Sequence, residues 1–159
     1  MYIGKLVQSI PGGIYSGNPD LKVKGIAYDS RQVKPGDLFV CVRGYQQDGH
    51  RFAQDAVARG AVALVVEKGV TIAQGGEVPQ IFAGDTRKAL ALLSVAFYDY
   101  PSRKLSLVGV TGTNGKTTTT YLIKSILAAA GHKVGLIGGI GNQVGDRVMP
   151  AERTTPESL

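Results

Sequence analysis

The chain of 159 residues has one cysteine, Cys41, and two histidines, His50 and His132. No apolar run approaches the roughly 20 residues that a membrane-spanning helix requires. A single cysteine excludes an intrachain disulfide and suits a reducing compartment, so a cytoplasmic setting is expected. The three soft ligands make no zinc-type cluster in their spacing. The opening stretch MYIGKLVQSIPGG lacks an apolar core followed by a small-residue cleavage site, so no secretory signal is expected there. Charged residues make up only 19% and hydrophobic residues 43%, the balance of a globular protein and not a disordered one. The net charge of +6 invites a nucleic-acid reading. However, the Lys and Arg residues are scattered singly with no interleaved aromatics, so no nucleic-acid partner is expected. A solvated surface, or a site for phosphorylated small molecules, suits this charge better.

What is present is an alternation of extended and helical patterns. VKGIAYDS (23–30) alternates like a strand, Pro35 and Gly36 suit a type II turn, and LFVCV (38–42) reads as a buried strand. After the polar loop GYQQDGH, a helix carries Phe52, Ala56 and Val57 on one face and stops at Gly60. AVALVVE and PQIFAG give two more strands. Asp85 caps a helix whose stripe is Leu90, Leu93, Ala96 and Phe97. Pro101 follows, and residues 101–104 read as a linker between a domain at 1–100 and a second at 105–159. In the second, LSLVGV (105–110) reads as a strand and 116–130 as a helix with Leu122, Ile123, Ile126 and Leu127 facing inward. KVGLIGG then reads as a further strand. This strand–loop–helix–strand order is the one a parallel sheet needs, so an α/β fold is expected. Two strands and one helix cannot cover their own faces, so the second domain is expected to be incomplete. Cys41 reads as core, and Asp48 with Gly49 as a turn.

The segment LVGVTGTNGKTTTT (107–120) resembles a Walker A loop, G-x-x-x-x-G-K-[ST], with its first glycine replaced by Val110. Gly112 and Gly115 allow backbone N–H groups to approach a phosphate at a helix start, where the helix dipole also favours an anion. Lys116 supplies a cation for the β- and γ-phosphates, and the Thr117 hydroxyl can join a Mg²⁺ shell. Lys116 and Thr117 are therefore the candidate catalytic pair. Gly112, Thr113, Asn114, Gly115, Lys116, Thr117 and Thr118 are the candidate ATP-binding residues. The later GLIGGIG (135–141) resembles a dinucleotide fingerprint, but no helix is expected after it, so it reads as a loop.

GVTGTNGKTTTTYLI resembles the Mur ligases of bacterial cell-wall synthesis, whose shortened phosphate loop runs Gly112, Thr113, Asn114, Gly115, Lys116, Thr117. DSRQVKPGDLFVCVRGYQQDGHRFAQDAVARGAVALVVE resembles the uridine-diphosphate-binding domain shared by the third and fourth ligases of that pathway. Thr113, where the fourth (MurF) type usually has serine, and TTPES at 154–158 favour the third (MurE) type. The resemblance covers essentially the whole chain with three motifs in order.

That resemblance implies an ATP- and Mg²⁺-dependent amide ligase. It would add a diamino acid, meso-diaminopimelate or L-lysine, to UDP-N-acetylmuramoyl-L-alanyl-D-glutamate through an acyl phosphate. It places Tyr28, Ser30, Tyr45, Gln46 and Gln47 at the uridine end, and Arg153, Thr154 and Thr155 at the muramoyl part. Relatives often begin the uridine loop with histidine where this chain has Tyr45, and some have asparagine in place of Arg153. The family's acidic metal ligand, carbamylated lysine and amine-selecting domain have no counterpart before residue 159, so a monomeric fragment inactive by itself is expected. The alternatives are a non-catalytic UDP-sugar or nucleotide-binding module, a MurF-type ligase, or a P-loop switch or motor.

Overall fold

The computed structural model describes residues 1–44, 47–73, 77–150 and 158–159. They group into two compact units, Met1–Lys104 with Ser158–Leu159, and Leu105–Glu157.

In the first unit, helix α1 (Ile3–Val7) is followed by strands β1 (Ile14–Tyr15), β2 (Gly25–Ala27) and β3 (Asp37–Val40). Helix α2 (Ala53–Ala58), β4 (Ala63–Val66), β5 (Gln80–Phe82) and helix α3 (Thr86–Phe97) complete it. The sheet order is β1-β5-β4-β3-β2. Strands β2 to β5 are parallel, and β1 adds to β5 antiparallel. Alternation along each strand explains the continuous apolar runs. Leu38, Val40, Ala63, Val65 and Ile81 face a layer containing Ile3, Leu6, Leu90 and Leu93. Phe39, Cys41, Leu64 and Val66 face the other layer with Ala53 and Ala56. A parallel sheet covered on both faces needs apolar residues at consecutive positions, which is what LFVC and ALVV supply.

The turns follow the sequence closely. The Asp37 N–H donates to the Lys34 carbonyl at 3.1 Å across Pro35 and Gly36, with Gly36 at φ +97°. Asp85 caps α3 by accepting from the N–H groups of Arg87 and Lys88. Leu90 and Leu93 are fully buried, with Ala96 and Phe97 packed at the margin of the same cluster. Residues Pro101–Lys104 form a 3₁₀ turn, preceded by Asp99 and Tyr100 at φ +56° and +52°.

The second unit departs from expectation in three ways. Residues 105–110 pair with no described strand, and Leu105, Leu107 and Val108 are exposed. A strand exists only through bonds to a neighbour, so an apolar alternating run by itself does not make one. Helix α4 (Lys116–Ala129) forms as expected, but no residue of it is buried, and Leu122 and Ile126 lie open. Strand β6 (Gly135–Ile137) pairs antiparallel with β7 (Gly141–Val144), which pairs antiparallel with β8 (Arg147–Pro150). The nearest partner in sequence takes each strand, β7 pairing with β6 across residues 138–140 and with β8 across a two-residue turn at Gly145 and Asp146. The GLIGGIG segment accordingly spans β6, a short hairpin loop and the start of β7, and opens no helix.

Candidate functional site

The phosphate-loop geometry is local. Gly115 caps α4 in the left-handed conformation, at φ +77° and ψ −8°, with no side chain bonded to the helix start. A β-carbon there would meet nothing within 4 Å, so glycine is required by backbone conformation and not by space. The Thr119 N–H donates to the Gly115 carbonyl at 2.9 Å, closing the first helical bond. The N–H groups of Lys116, Thr117 and Thr118 precede that bond and have no intrahelical acceptor. Lys116 Nζ folds back over the loop, donating to the Gly112 carbonyl at 2.5 Å and the Thr113 carbonyl at 3.4 Å. The exposed loop therefore holds an ammonium group beside outward-pointing N–H groups at the positive end of a helix dipole.

Gly112, Thr113, Asn114, Gly115, Lys116, Thr117 and Thr118 all lie in this loop or the first turn of α4. Farther along the helix, Lys124 donates to Gln143, whose amide reaches the Tyr121 hydroxyl at 3.3 Å, fastening α4 to β7.

Of the other candidates, Tyr28, Ser30 and Gln47 belong to the first unit. Strands β2 and β3 are adjacent and parallel, with Ala27 opposite Phe39, so the segments after both leave the same edge of the sheet. Open α/β sheets bind ligands at that carboxyl edge. Tyr28 and Ser30 follow β2. Ser30 is buried at the start of a 3₁₀ turn, Ser30–Gln32. Asp29 caps this turn through the Arg31 N–H at 3.0 Å and pairs with the Arg31 guanidinium at 2.6 Å. The Arg31 side chain beside it holds the Asp29 carboxyl below the ordinary aspartate value, against the opposing effect of burial. A cleft of about 760 Å³ opens here, lined by Lys24, Tyr28, Asp29, Arg31, Phe97 and Tyr98 among others. Tyr28 borders it and Ser30 does not.

After β3, the Gln47 carbonyl accepts from the Gly44 N–H at 2.9 Å, and the backbones of Arg43 and Asp48 pair as an isolated antiparallel bridge. A second cleft of about 350 Å³ lies beside Arg43, with Glu67, Gly84, Asp85 and Arg87. Tyr45, Gln46, Arg153, Thr154 and Thr155 lie outside the described residues. Cys41 is fully buried, and burial, with Asp48 nearby, pushes its thiol up to about 12. The turn at Asp48 and Gly49 continues into a 3₁₀ turn, Gly49–Phe52, capped by Asp48. Its His50 is buried and bonded on both ring nitrogens, a feature nothing in the sequence reading signalled.

Among the described residues, no three His, Cys, Asp or Glu side chains could together hold a metal ion, and no helix is long and apolar enough to cross a membrane.

A mostly parallel sheet with apolar layers on both faces, and a separate helix started by a glycine-rich loop, define an α/β protein. Residues 22–98 match the description "Mur ligase family, catalytic domain", and residues 110–159 match "Mur ligase middle domain". The chain belongs to the Mur ligase family. The UDP-N-acetylmuramoyl-L-alanyl-D-glutamate--2,6-diaminopimelate ligase of Geobacillus thermodenitrificans is 48% identical over 161 residues, covering 100% of this chain and 32% of that protein. A solved structure with the same ligase name superposes with a TM-score of 0.66 at 25% identity, over 91% of this chain and 29% of the other. The MurF ligase of Thermotoga maritima in complex with ADP gives a TM-score of 0.52 at 29% identity, over 69% of this chain and 24% of the other. The chain spans about a third of the length of the curated relatives it matches.

Proposed function

We propose that the protein containing this chain is an ATP-dependent amide ligase that joins 2,6-diaminopimelate to UDP-N-acetylmuramoyl-L-alanyl-D-glutamate in peptidoglycan synthesis. A carboxylate is a poor electrophile at neutral pH. Transfer of the terminal phosphoryl group of ATP to its oxygen gives an acyl phosphate and ADP. The amine then attacks the acyl carbon, the C–O bond breaks, and inorganic phosphate leaves with the electron pair while the amine nitrogen gives up a proton. Such chemistry asks a protein mainly for positioning and charge neutralisation.

The chain's own residues suit that demand. The N–H groups of Lys116, Thr117 and Thr118 and the Lys116 ammonium would hold the β- and γ-phosphates, with Gly112, Thr113 and Asn114 shaping the loop. Mg²⁺ offsets phosphate charge when bound, and the exposed Thr117 hydroxyl suits it, because Mg²⁺ takes oxygen ligands and draws most of them from phosphate and water. Tyr28, Ser30 and the loop of Tyr45, Gln46 and Gln47 would receive the uridine end, and Arg153, Thr154 and Thr155 the muramoyl part. Residues 1–100 would form a UDP-substrate domain, 101–104 a linker, and 105 onward the start of the ATP-binding domain of a cytoplasmic monomer.

The observation that carries this reading is the start of α4, where Gly115 in the left-handed conformation leaves an uncapped helix N-terminus beside the Lys116 ammonium. The 48% identity to a protein named as a diaminopimelate ligase favours that amine over L-lysine. The test is phosphate release by the whole ligase with UDP-muramoyl-dipeptide, MgATP and either diaminopimelate or L-lysine. Release with ATP alone at the same rate would point instead to a P-loop switch or motor.

For the 159-residue chain alone we infer nucleotide binding without turnover. Helix α4 has no buried residue, so its phosphate loop has no rigid support of the kind a preorganised site requires. Ligation by the isolated chain near the rate of the whole ligase would overturn this.

A further inference from the structure

The turn after β3 is fastened to the sheet at three points. Its ends are closed by the Gly44 N–H on the Gln47 carbonyl at 2.9 Å, one of the two bonds that set the backbones of Arg43 and Asp48 opposite each other. The Gly49 N–H donates to the Val42 carbonyl at 3.0 Å, in contact so close that a β-carbon at Gly49 would lie 2.6 Å from that oxygen. The third point is His50. Its Nε2 accepts from the backbone N–H of Glu67, at the end of β4, at 2.9 Å. An Nε2 that accepts carries no proton, so the ring proton sits on Nδ1, 2.5 Å from Asp48 Oδ1. Asp48 also takes the His50 backbone N–H at 3.0 Å, and Lys68 stands 3.7 Å from its other oxygen. Burial works against ionisation of Asp48, but the bonds from His50 outweigh it and keep the carboxyl below its ordinary value. One buried imidazole thus ties Asp48, at the end of the turn, to a neighbouring strand.

We propose that His50 is a positioning residue that holds Gln47, Asp48 and Gly49 in register with the sheet edge and, through them, sets the affinity for the uridine end of the nucleotide ligand. The second half of this proposal rests on the assignment of Tyr45, Gln46 and Gln47 to uridine made above. Loops that carry binding groups depend on such buried supporting bonds, because a contact about 1 Å out of place loses most of its value.

Two substitutions separate the two ring contacts. In His50→Asn the amide can still donate to Asp48 but falls short of Glu67. In His50→Gln the side-chain oxygen can reach the Glu67 N–H. The experiment uses the 159-residue chain, with amide exchange by NMR and titrations of UDP and of MgATP. His50→Asn should speed exchange at Gly44, Gly49 and Glu67 and weaken UDP binding about fivefold to tenfold, the equivalent of one lost hydrogen bond. ATP affinity should not change, and His50→Gln should recover both the slow exchange and the UDP affinity.

Wild-type exchange at Gly44 and Gly49 in a folded His50→Asn protein would overturn the proposal, as would unchanged UDP affinity. In the wild type itself, the imidazole ¹⁵N spectrum must show the proton on Nδ1. A proton on Nε2 would overturn the proposal even if both variants failed to fold. A wild-type chain that binds no UDP would sink the uridine assignment instead, and the exchange and tautomer measurements would still decide the positioning role.

Discussion

The first unit buries its sheet on both faces, with Phe39, Leu64, Ile81, Leu90 and Leu93 fully excluded from water, whereas α4 in the second unit buries nothing. Each nevertheless fixes the described residues beside its candidate loop. The loops after β2 and β3 lie at one edge because two parallel strands deliver them there, so their geometry depends on the core beneath. The loop before α4 depends on one left-handed glycine and the helix it starts, both local. The geometry of a loop can therefore be specified by a packed sheet or by a few adjacent residues. The two kinds should differ in what breaks them.

The largest expected difference is in side-chain truncation. Leu90→Ala should cost the first unit about 2–5 kcal/mol, because a fully buried leucine leaves a cavity. Ile126→Ala, at a side chain 68% exposed, should change stability by no more than about 0.5 kcal/mol. Urea titration followed by circular dichroism reads both, and equal effects would erase the contrast.

Next comes Lys116→Ala, which should weaken MgATP binding about tenfold to a hundredfold, the worth of a charge-assisted contact. Calorimetry measures it, with far-UV dichroism unchanged because the residue is exposed and its bonds reach only loop carbonyls. Unchanged affinity would remove the phosphate assignment.

Glycine substitution sharpens the comparison further. Gly115→Ala should cost about 1–2 kcal/mol of α4 stability through backbone conformation alone, since no atom would touch the added methyl. Gly49→Ala should act by collision with Val42, 2.6 Å from the added carbon, and displace the turn after β3. Amide shifts confined to 112–120 in one variant and to 42–50 in the other would support the distinction. Widespread shifts from Gly115→Ala would break it.

The smallest effect is acid sensitivity. Asp29, Asp48 and Asp85 in the first unit all have lowered pKa values. For Asp29 the first cause is the Arg31 side chain. For Asp48 the bonds from His50 prevail over burial, and for Asp85 the Lys88 N–H leads. A lowered folded-state value means stabilisation that is full above the unfolded aspartate value, roughly 3.9, and lost as pH falls through the folded values. First-unit stability should decline modestly below about pH 4, and Asp85→Asn should flatten part of that slope. A rise in stability on acidification would contradict the assigned bonds.

Much of this architecture was legible from residue order. The buried strands LFVC and ALVV showed in their continuous apolar runs, and the turn at Pro35 and Gly36, the cap at Asp85 and the glycine start of α4 are dictated by contacts within a few residues. α1, β1 and the β7–β8 hairpin were not anticipated; α1 and β1 have only 5 and 2 residues, and β1 pairs with the distant β5. LSLVGV misled for the converse reason. Its apolar alternation is that of a strand, but no described strand pairs with it.

The sequence by itself determined the α/β class, the phosphate-loop conformation and the family, since these rest on local patterns and ordered motifs. Only the tertiary structure decided that Tyr28 and Gln47 leave the same sheet edge, because strand order is a long-range choice. It also decided that β6 turns antiparallel. His50 shows the limit most clearly. Its partner Glu67 lies 17 residues away, and only the parallel pairing of β3 with β4 brings that N–H within reach of a ring that nothing in the sequence reading marked out.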